Sequence, residues 1–369
     1  MERHYKALRV EPAAAPANPA PVVHRRGRAT RTRGRSVRCG HFVFAGPLVF
    51  AVSIVTGCGT GDVDDTTSGT AVETSAGLPV DSGFVTTDDG VRLFYRTVGD
   101  GPLDVVVPVG LYLEDALLPL ASPDRRLVFY DPRARGRSDA GDRSLVTLDR
   151  QIADVEAVRQ GLSIDSMVLI GWSGLGMEMA VYTMRHPGNV VRLVQVAPVA
   201  ARDEPHNTEA YRRRGEWTDT AALAAVRARF EQGEFDGDPA AHCRALNVVT
   251  APTNFADPAY AAAVPDVCRY PNEYRDSLSL LFPSLLGSFQ GYDWRTDIAA
   301  VDVPRLVIHG DSDAFPVDGS REWVPPGSNA RLLILDGAGH FPFLERPDVF
   351  FPAVEAFLRG EWPPDVEPG

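Results

Sequence analysis

The sequence predicts an α/β protein with a mostly parallel, eight-stranded sheet and helices on both of its faces. Short apolar runs recur from residue 83 onward, and helix-sized segments separate most of them. Such alternation is typical of parallel sheets with crossover helices. The central runs, such as residues 104–108 and 166–171, are almost continuously apolar, as expected of strands that are buried on both faces. This alternation stops between residues 201 and 300, which indicates an insertion.

Residues 1–57 are predicted to be an export signal. They hold ten arginines and lysines against two glutamates, and the basic stretch precedes the apolar run HFVFAGPLVFAVSIVT. This run has the length of a signal-peptide core and is short for a membrane span. It ends in Val55-Thr56-Gly57-Cys58, which resembles the cleavage box of bacterial lipoproteins. The resemblance implies cleavage before Cys58, acylation of its thiol and anchoring in the lipid bilayer, at the outer face of the bacterial cytoplasmic membrane in the cell envelope. The alternatives are an uncleaved transmembrane anchor and a chance match.

Residues 58–81 are predicted to be the lipidated cysteine and a flexible tether, because residues 59–81 are rich in Gly, Thr, Ser and Asp without apolar periodicity. An exported protein occupies a compartment in which disulfides persist. We therefore expect a bond between Cys243 and Cys268, with two buried free thiols as the alternative. The net charge of −12 argues against nucleic acid as a partner. No cysteine–histidine cluster has metal-ligand spacing, and neither a metal nor a cofactor is expected.

Residues 82–200 are predicted to form the first half of the folded core. An opening hairpin is expected around the turn Asp88-Asp89-Gly90. The strands are expected at residues 84–86, 91–95, 104–108, 126–130, 166–171 and 190–196, with a helix at 147–160.

Residues 201–300 are predicted to be a helical cap inserted after the sixth strand. The segment contains twelve of the 32 aromatic residues, and residues 220–230 have the pattern of a helix. Apolar bulk inserted between two strands is typical of a lid over a pocket. The alternative is a helical domain that packs elsewhere on the sheet. Residues 301–369 then form the second half of the core, with strands at 305–309 and 331–335.

The segment Gly171-Trp172-Ser173-Gly174-Leu175-Gly176 joins a predicted strand to a predicted helix. Glycines permit so sharp a turn, which exposes the serine beside the N–H groups of the helix N-terminus. An acid and a base follow later strands, in Gly310-Asp311-Ser312-Asp313 and in Gly337-Ala338-Gly339-His340. The carboxyl ends of parallel strands share one edge of the sheet, where ligands bind.

The order Ser…Asp…His on strand ends resembles the α/β-hydrolase superfamily, and within it the proline-iminopeptidase-like group. The resemblance implies that Asp313 orients His340, which deprotonates Ser173; Asp311 is the competing acid. It also implies an oxyanion hole formed by the N–H groups of Gly174 and Leu111, with Tyr112 as the alternative second donor. The sequence departs from the family pattern at Leu175, where a glycine is usual, and before Gly110, where a histidine is usual.

We expect Trp172 and Tyr112 to bind the substrate. In the peptidases of this group a cap carboxylate binds the free amine of the substrate, and Glu273 is the candidate, with Asp266 and Asp276 nearby in sequence. The alternative is that these acids lie on the solvated surface. The sequence therefore favours a serine hydrolase of small acyl substrates, ester or amide, including short peptides. An aminopeptidase and a non-catalytic binding lipoprotein are the other two hypotheses.

Overall fold

The computed structural model describes residues 72–73 and 77–369, and its centre is one mixed sheet. The described strands are β1 (Val72–Glu73), β2 (Pro79–Thr86), β3 (Arg92–Val98), β4 (Leu103–Pro108), β5 (Arg125–Tyr130), β6 (Met167–Trp172), β7 (Val190–Val196), β8 (Arg305–Gly310), β9 (Ala330–Leu335) and β10 (Glu367–Pro368). Their order across the sheet is β1-β2-β3-β5-β4-β6-β7-β8-β9-β10. The strands from β5 to β9 in that order run parallel, and the flanking pairs are antiparallel.

Helices cover both faces of this sheet and fill the long connection between β7 and β8. The α-helices are α1 (Gly110–Leu117), α2 (Leu148–Gly161), α3 (Gly174–Arg185), α4 (His206–Trp217), α5 (Thr220–Glu231), α6 (Pro239–Thr250), α7 (Arg275–Gly287), α8 (Arg295–Ala299), α9 (Val317–Arg321), α10 (Pro342–Glu345) and α11 (Pro347–Leu358). Short 3₁₀ turns lie at Leu118–Leu120, Arg143–Leu145, Pro187–Asn189, Ala251–Asn254, Pro258–Ala263, Val267–Arg269 and Pro271–Glu273.

The side chains of the central strands alternate between two buried layers. Val105 and Val107 of β4 pack with residues of α1 and α11, while Val106 between them packs with residues of α2 and α3. Successive residues of a strand point to opposite faces, so a run that is apolar throughout requires helices on both faces. The predicted fold class is confirmed.

Two details of the strand prediction are wrong. The sheet contains ten described strands instead of eight, because two-residue strands pair at each edge. The predicted tether was too long, since Val72–Glu73 forms β1 and β2 starts at Pro79. Leu78 and Val80 pack against the core, which fixes this stretch to the sheet. The predicted export signal and Cys58 lie outside the described residues.

The two ends of the segment between β7 and β8 are joined by backbone pairing. Arg202 and Asp293 form an isolated antiparallel bridge. Beside it, the Trp294 N–H donates to the carbonyl of Ala201 at 2.8 Å. Within the part of the chain that the structure describes, no helix is long and apolar enough to cross a membrane, and no group of side chains is suited to hold a metal ion.

Candidate active site

Ser173 lies in a strained turn between β6 and α3. Its backbone has φ 58° and ψ −131°, a conformation that residues other than glycine rarely adopt. The close approach of strand and helix requires a glycine at position 171, where a Cβ would lie 2.5 Å from the carbonyl oxygen of Leu175. Strain of this kind costs about 1–3 kcal/mol and is common at functional sites. Leu175, the departure from the family pattern, points into a cavity beside Ser173, where its side chain has room.

Ser173, His340 and Asp313 form one hydrogen-bonded chain. The Ser173 Oγ lies 2.9 Å from the His340 Nε2. The other ring nitrogen, Nδ1, lies 2.7 Å from the Asp313 Oδ2. The three residues come from the carboxyl ends of β6, β9 and β8, so the parallel sheet brings them to one edge.

Asp313 is the carboxylate that pairs with His340. It is buried, and its second oxygen accepts the N–H of Phe315 at 3.0 Å. Burial alone would raise the pKa of Asp313, but the charge and the hydrogen bond of His340 outweigh it and the pKa is lowered. The competing acid, Asp311, is exposed and accepts the N–H of Gly337 at 2.9 Å. It does not contact His340.

Several hydrogen bonds hold the backbone of the segment that carries His340. The backbone N–H of His340 donates to the carbonyl of Asn254 at 2.7 Å, and its carbonyl accepts the Trp172 indole N–H at 2.8 Å. Glu345 accepts the N–H of Gly339 at 2.6 Å and that of Ala256 at 2.7 Å. Asn254 and Ala256 belong to the insertion, so the insertion helps to hold the base in place.

The prediction that Leu111 is an oxyanion donor is wrong. Its N–H donates to the Asp131 carboxylate at 2.9 Å and is therefore occupied. The chain enters α1 through Val109 in the left-handed conformation, φ 60°. This turn leaves the N–H groups of Val109 and Gly110 without a hydrogen-bond partner among the described residues. The N–H of Gly174, the other predicted donor, is likewise free within that part of the chain.

Two cavities meet at Ser173. The first, of about 740 Å³, lies under the insertion and is also lined by His340. The second, of about 470 Å³, runs between α3 and the apolar side of α7. Trp172 and Tyr112, the predicted substrate-binding residues, line both cavities, and their ring centroids are 5.7 Å apart.

The predicted role of Glu273 in binding a substrate amine is not supported by its position. Both carboxylate oxygens are bound by Arg135, at 2.9 Å and 2.8 Å, and one also accepts the Gly136 N–H at 2.9 Å. Glu273 is buried, so it is not a solvated surface acid either. Burial alone would lower the pKa of Arg135, but the charge of Glu273 raises it above its usual value. The other two acids do not change this: Asp266 pairs with Arg244 at 2.9 Å, and Asp276 is exposed.

The structure adds two charged residues that the sequence analysis missed. Glu178 of α3 is 4 % exposed, lines the second cavity and makes no hydrogen bond to the described residues. Burial raises its pKa to about 8. Arg214 of α4 lines both cavities. The position of Glu178, five residues after Ser173 on α3, could have indicated its proximity, but Arg214 carries no signal in the sequence.

Cys243 and Cys268 are joined by a disulfide, with a Cα–Cα distance of 5.7 Å. The bond connects α6 to the 3₁₀ turn at Val267–Arg269. Arg244 and Asn247 of α6 line the first cavity, as does Asp266, the residue that precedes the turn. The disulfide therefore closes a loop of the insertion that forms part of the wall of this cavity.

Comparison with known proteins agrees with this architecture. A family model of the alpha/beta hydrolase fold matches residues 110–347. The chain belongs to this family. It is an enzyme of the α/β-hydrolase type, and the elements that hold Ser173 and Asp313 lie within the matched region.

Curated relatives of this hydrolase have several activities. It is 29 % identical over 293 residues to a non-heme chloroperoxidase of Streptomyces lividans, covering 75 % of this chain and 99 % of that one. It is 24 % identical over 239 residues to a proline iminopeptidase of Lactobacillus delbrueckii subsp. lactis, covering 60 % and 76 %. An esterase structure from Exiguobacterium antarcticum shares the fold with a TM-score of 0.57 at 17 % identity, covering 76 % of this chain and all of that one.

Proposed function

We propose that this hydrolase cleaves small ester or amide substrates through an acyl-enzyme on Ser173. The observation that carries the proposal is the hydrogen-bonded chain from Ser173 to His340 to Asp313, which opens into two cavities. A serine hydroxyl becomes a useful nucleophile when an adjacent base accepts its proton and a third group orients that base. The non-catalytic hypothesis is disfavoured, because a binding module has no need for this geometry or for the strained backbone of Ser173.

The residues support the following sequence of steps. The Ser173 Oγ attacks the carbonyl carbon while its proton passes to the His340 Nε2, and Asp313 stabilises the resulting imidazolium. The imidazolium then donates this proton to the leaving alcohol or amine as the bond to the carbonyl carbon breaks. Water gives a proton to His340 and attacks the acyl-enzyme, and the proton returns to Ser173 as the acid is released.

We further propose that the N–H groups of Gly174 and Gly110 stabilise the oxyanion. Both belong to first residues of helices, α3 and α1, whose N-termini are partially positive. The negative charge develops on the carbonyl oxygen only during the reaction, so donors aimed at this oxygen stabilise the transition state and lower the barrier.

The aminopeptidase hypothesis is supported by the proline iminopeptidases among the relatives. It lacks the cap carboxylate that it needs, because Glu273 is neutralised by Arg135. We therefore rank a hydrolase of esters or amides without a free-amine requirement above an aminopeptidase.

The decisive assay compares short-chain p-nitrophenyl esters with aminoacyl p-nitroanilides whose amine is free or blocked. The expected result is ester turnover, with no dependence of anilide cleavage on a free amine. Ser173→Ala should reduce turnover by several orders of magnitude and abolish covalent labelling by a fluorophosphonate probe. Ser82→Ala, which removes an exposed hydroxyl from β2, is the matched control. Retained labelling in Ser173→Ala would show that another residue is the nucleophile, and turnover of free-amine anilides alone would favour the aminopeptidase.

We also propose that the protein is exported and anchored to the membrane through an acylated Cys58. The support is the sequence alone, namely the basic and apolar segments before Val55-Thr56-Gly57-Cys58. Cys58→Ala should move the protein from the membrane fraction to the soluble fraction, whereas Cys39→Ala should not. Unchanged membrane retention of Cys58→Ala would favour an uncleaved anchor.

A further inference from the structure

We propose that Arg214 is an anion-binding residue and that the preferred substrate carries a free carboxylate in addition to its scissile ester or amide. The proposal rests on the proposed function, which it deepens by naming a substrate class. It is based on a difference among the three arginines that line the first cavity: two of them are paired with a carboxylate of the protein, and the third, Arg214, is not.

Two of these arginines are neutralised by a carboxylate. Arg135 is bound by Glu273 through two hydrogen bonds, and Arg244 lies 2.9 Å from Asp266. Their charges are therefore balanced by the protein itself. A substrate anion would gain little from either of them, since it would have to compete with a carboxylate already in contact.

Arg214 has no such partner in the described part of the chain. Its Nη2 donates to the Asn254 Oδ1 at 2.9 Å, which is a neutral acceptor. Its Nε is buried and has no acceptor. The centre of its guanidinium lies 4.9 Å from the Phe315 ring centroid, an arrangement that holds the group in place without neutralising it.

Arg214 is half-buried, and a partly buried cation without a counter-ion is unfavourable, since burial removes water that would otherwise solvate it. Burial lowers the pKa of Arg214, while the charge of Asp313 opposes this effect. Both oxygens of Asp313 are already hydrogen-bonded, to His340 and to the Phe315 N–H, and Asp313 forms no direct ion pair with Arg214. An anion in the cavity would supply both the missing charge and the missing acceptor.

The position of Arg214 connects this charge to the reaction. It lines both cavities, and Ser173 lines both as well, so the cation borders the space where a substrate must lie during acyl transfer. A planar guanidinium matches the geometry of a carboxylate, with which it can form two parallel hydrogen bonds. We therefore infer a monoester or monoamide of a dicarboxylic acid, or an ester whose alcohol part carries a carboxylate.

Matched pairs of substrates test this inference with the full-length protein. The first pair is mono-4-nitrophenyl glutarate and its neutral methyl ester; the second is 4-butyryloxybenzoate and its neutral methyl ester. The wild-type protein should prefer the carboxylate member of at least one pair. Arg214→Gln should lower the ratio of kcat/KM for that charged substrate to kcat/KM for its neutral partner by about 10- to 100-fold, the range expected for hydrogen bonds to a charged group. In Arg214→Lys, which keeps the positive charge, the ratio should lie between the values of Arg214→Gln and the wild type.

Arg212→Gln is the matched control on the same helix. Arg212 is exposed and pairs with Glu209 and Glu216 on the surface, so its removal should leave the ratio unchanged. If Arg214→Gln lowers kcat/KM equally for the charged substrate and its neutral partner, Arg214 has a structural role through Asn254, and the proposal is overturned. No preference in the wild-type protein for either charged substrate would overturn it as well.

A binding measurement separates this proposal from the proposed function. The Ser173→Ala variant should bind mono-4-nitrophenyl glutarate in calorimetry, and adding Arg214→Gln should weaken the binding by a similar factor. This result does not depend on turnover, so it can hold even if Ser173 proves not to be the nucleophile. Equal affinity in the presence and absence of Arg214 would refute anion binding whatever the catalytic result.

Discussion

Glu178 is predicted to make the stability of the protein depend on pH, and replacing it with glutamine should remove this dependence. The carboxyl is 4 % exposed, and within residues 77–369 it has neither a hydrogen bond nor an ion pair. Burial raises its pKa to about 8, while the charge of Arg135 opposes the shift and that of Asp154 adds to it. The side chain should therefore be mostly protonated in the folded protein at neutral pH.

The sign and the size of the effect follow from linkage. In the unfolded chain Glu178 has an ordinary pKa of 4.5, so it releases its proton as the pH rises above that value. The folded protein keeps the proton until the pH approaches 8. The unfolded state thus binds fewer protons between these limits, and the contribution of Glu178 to stability is present below pH 4.5 and is lost as the pH rises toward 8. A full pH unit between the two pKa values costs about 1.4 kcal/mol, and since ionisation is incomplete near each pKa, the loss between pH 5 and pH 8 is about 3.5 kcal/mol.

Urea denaturation of the wild type and of Glu178→Gln at pH 5, 6, 7 and 8 measures this effect. The free energy of unfolding of the variant, relative to that of the wild type, should increase by about 3.5 kcal/mol from pH 5 to pH 8, because glutamine does not titrate. Glu231→Gln removes an exposed carboxyl from α5 and serves as the control. A difference between Glu178→Gln and wild type that stays constant across the pH range would refute the reasoning.

Three further predictions address the site and the insertion. Glu273→Gln should lower the free energy of unfolding by about 3–5 kcal/mol in urea denaturation, because it leaves a buried guanidinium without its counter-ion; a loss below about 1 kcal/mol would contradict the importance of this ion pair. Asp313→Asn should lower kcat for p-nitrophenyl esters by about three to four orders of magnitude, whereas Asp311→Asn should leave it nearly unchanged; similar losses in both would mean that the assignment of the acid is wrong. Replacing both Cys243 and Cys268 with alanine should destabilise the protein by about 2–5 kcal/mol, seen as a lower Tm; an unchanged Tm would show that the bond does not support the fold.

The sheet could be predicted from the sequence because its central strands are apolar throughout. Six of the predicted strands match β4 to β9 to within about a residue at each end. Residues 190–196 illustrate why: the run is predominantly apolar, and a parallel strand covered by helices on both faces is the structure that buries it best. The edge strands β1 and β10 could not be predicted, since two-residue strands have no periodicity.

The candidate nucleophile, base and acid could also be predicted, because each follows a strand and the sheet brings the strand ends together. The pairing of charged side chains could not. Glu273 and Arg135 are 138 positions apart in the sequence, and no local pattern shows that they form an ion pair. Leu111 was expected to be a donor because of its place after Gly110, but the carboxylate of Asp131, twenty positions away, occupies its N–H. Which partner each of these groups pairs with depends on tertiary contacts between segments that are distant in the sequence, and local sequence patterns do not show such contacts.

The pairing of charges around Ser173 also indicates which residues distinguish between substrates. Ion pairs within the protein fix Arg135 and Glu273, so these two residues support the shape of the site. Glu178 and Arg214 line the cavities without a carboxylate or an arginine in contact among the described residues. A substrate group that meets them changes their electrostatic energy directly, whereas one that meets Arg135 must first displace Glu273. We therefore expect substitutions at positions 178 and 214 to alter substrate preference, and substitutions in the Arg135–Glu273 pair to alter stability.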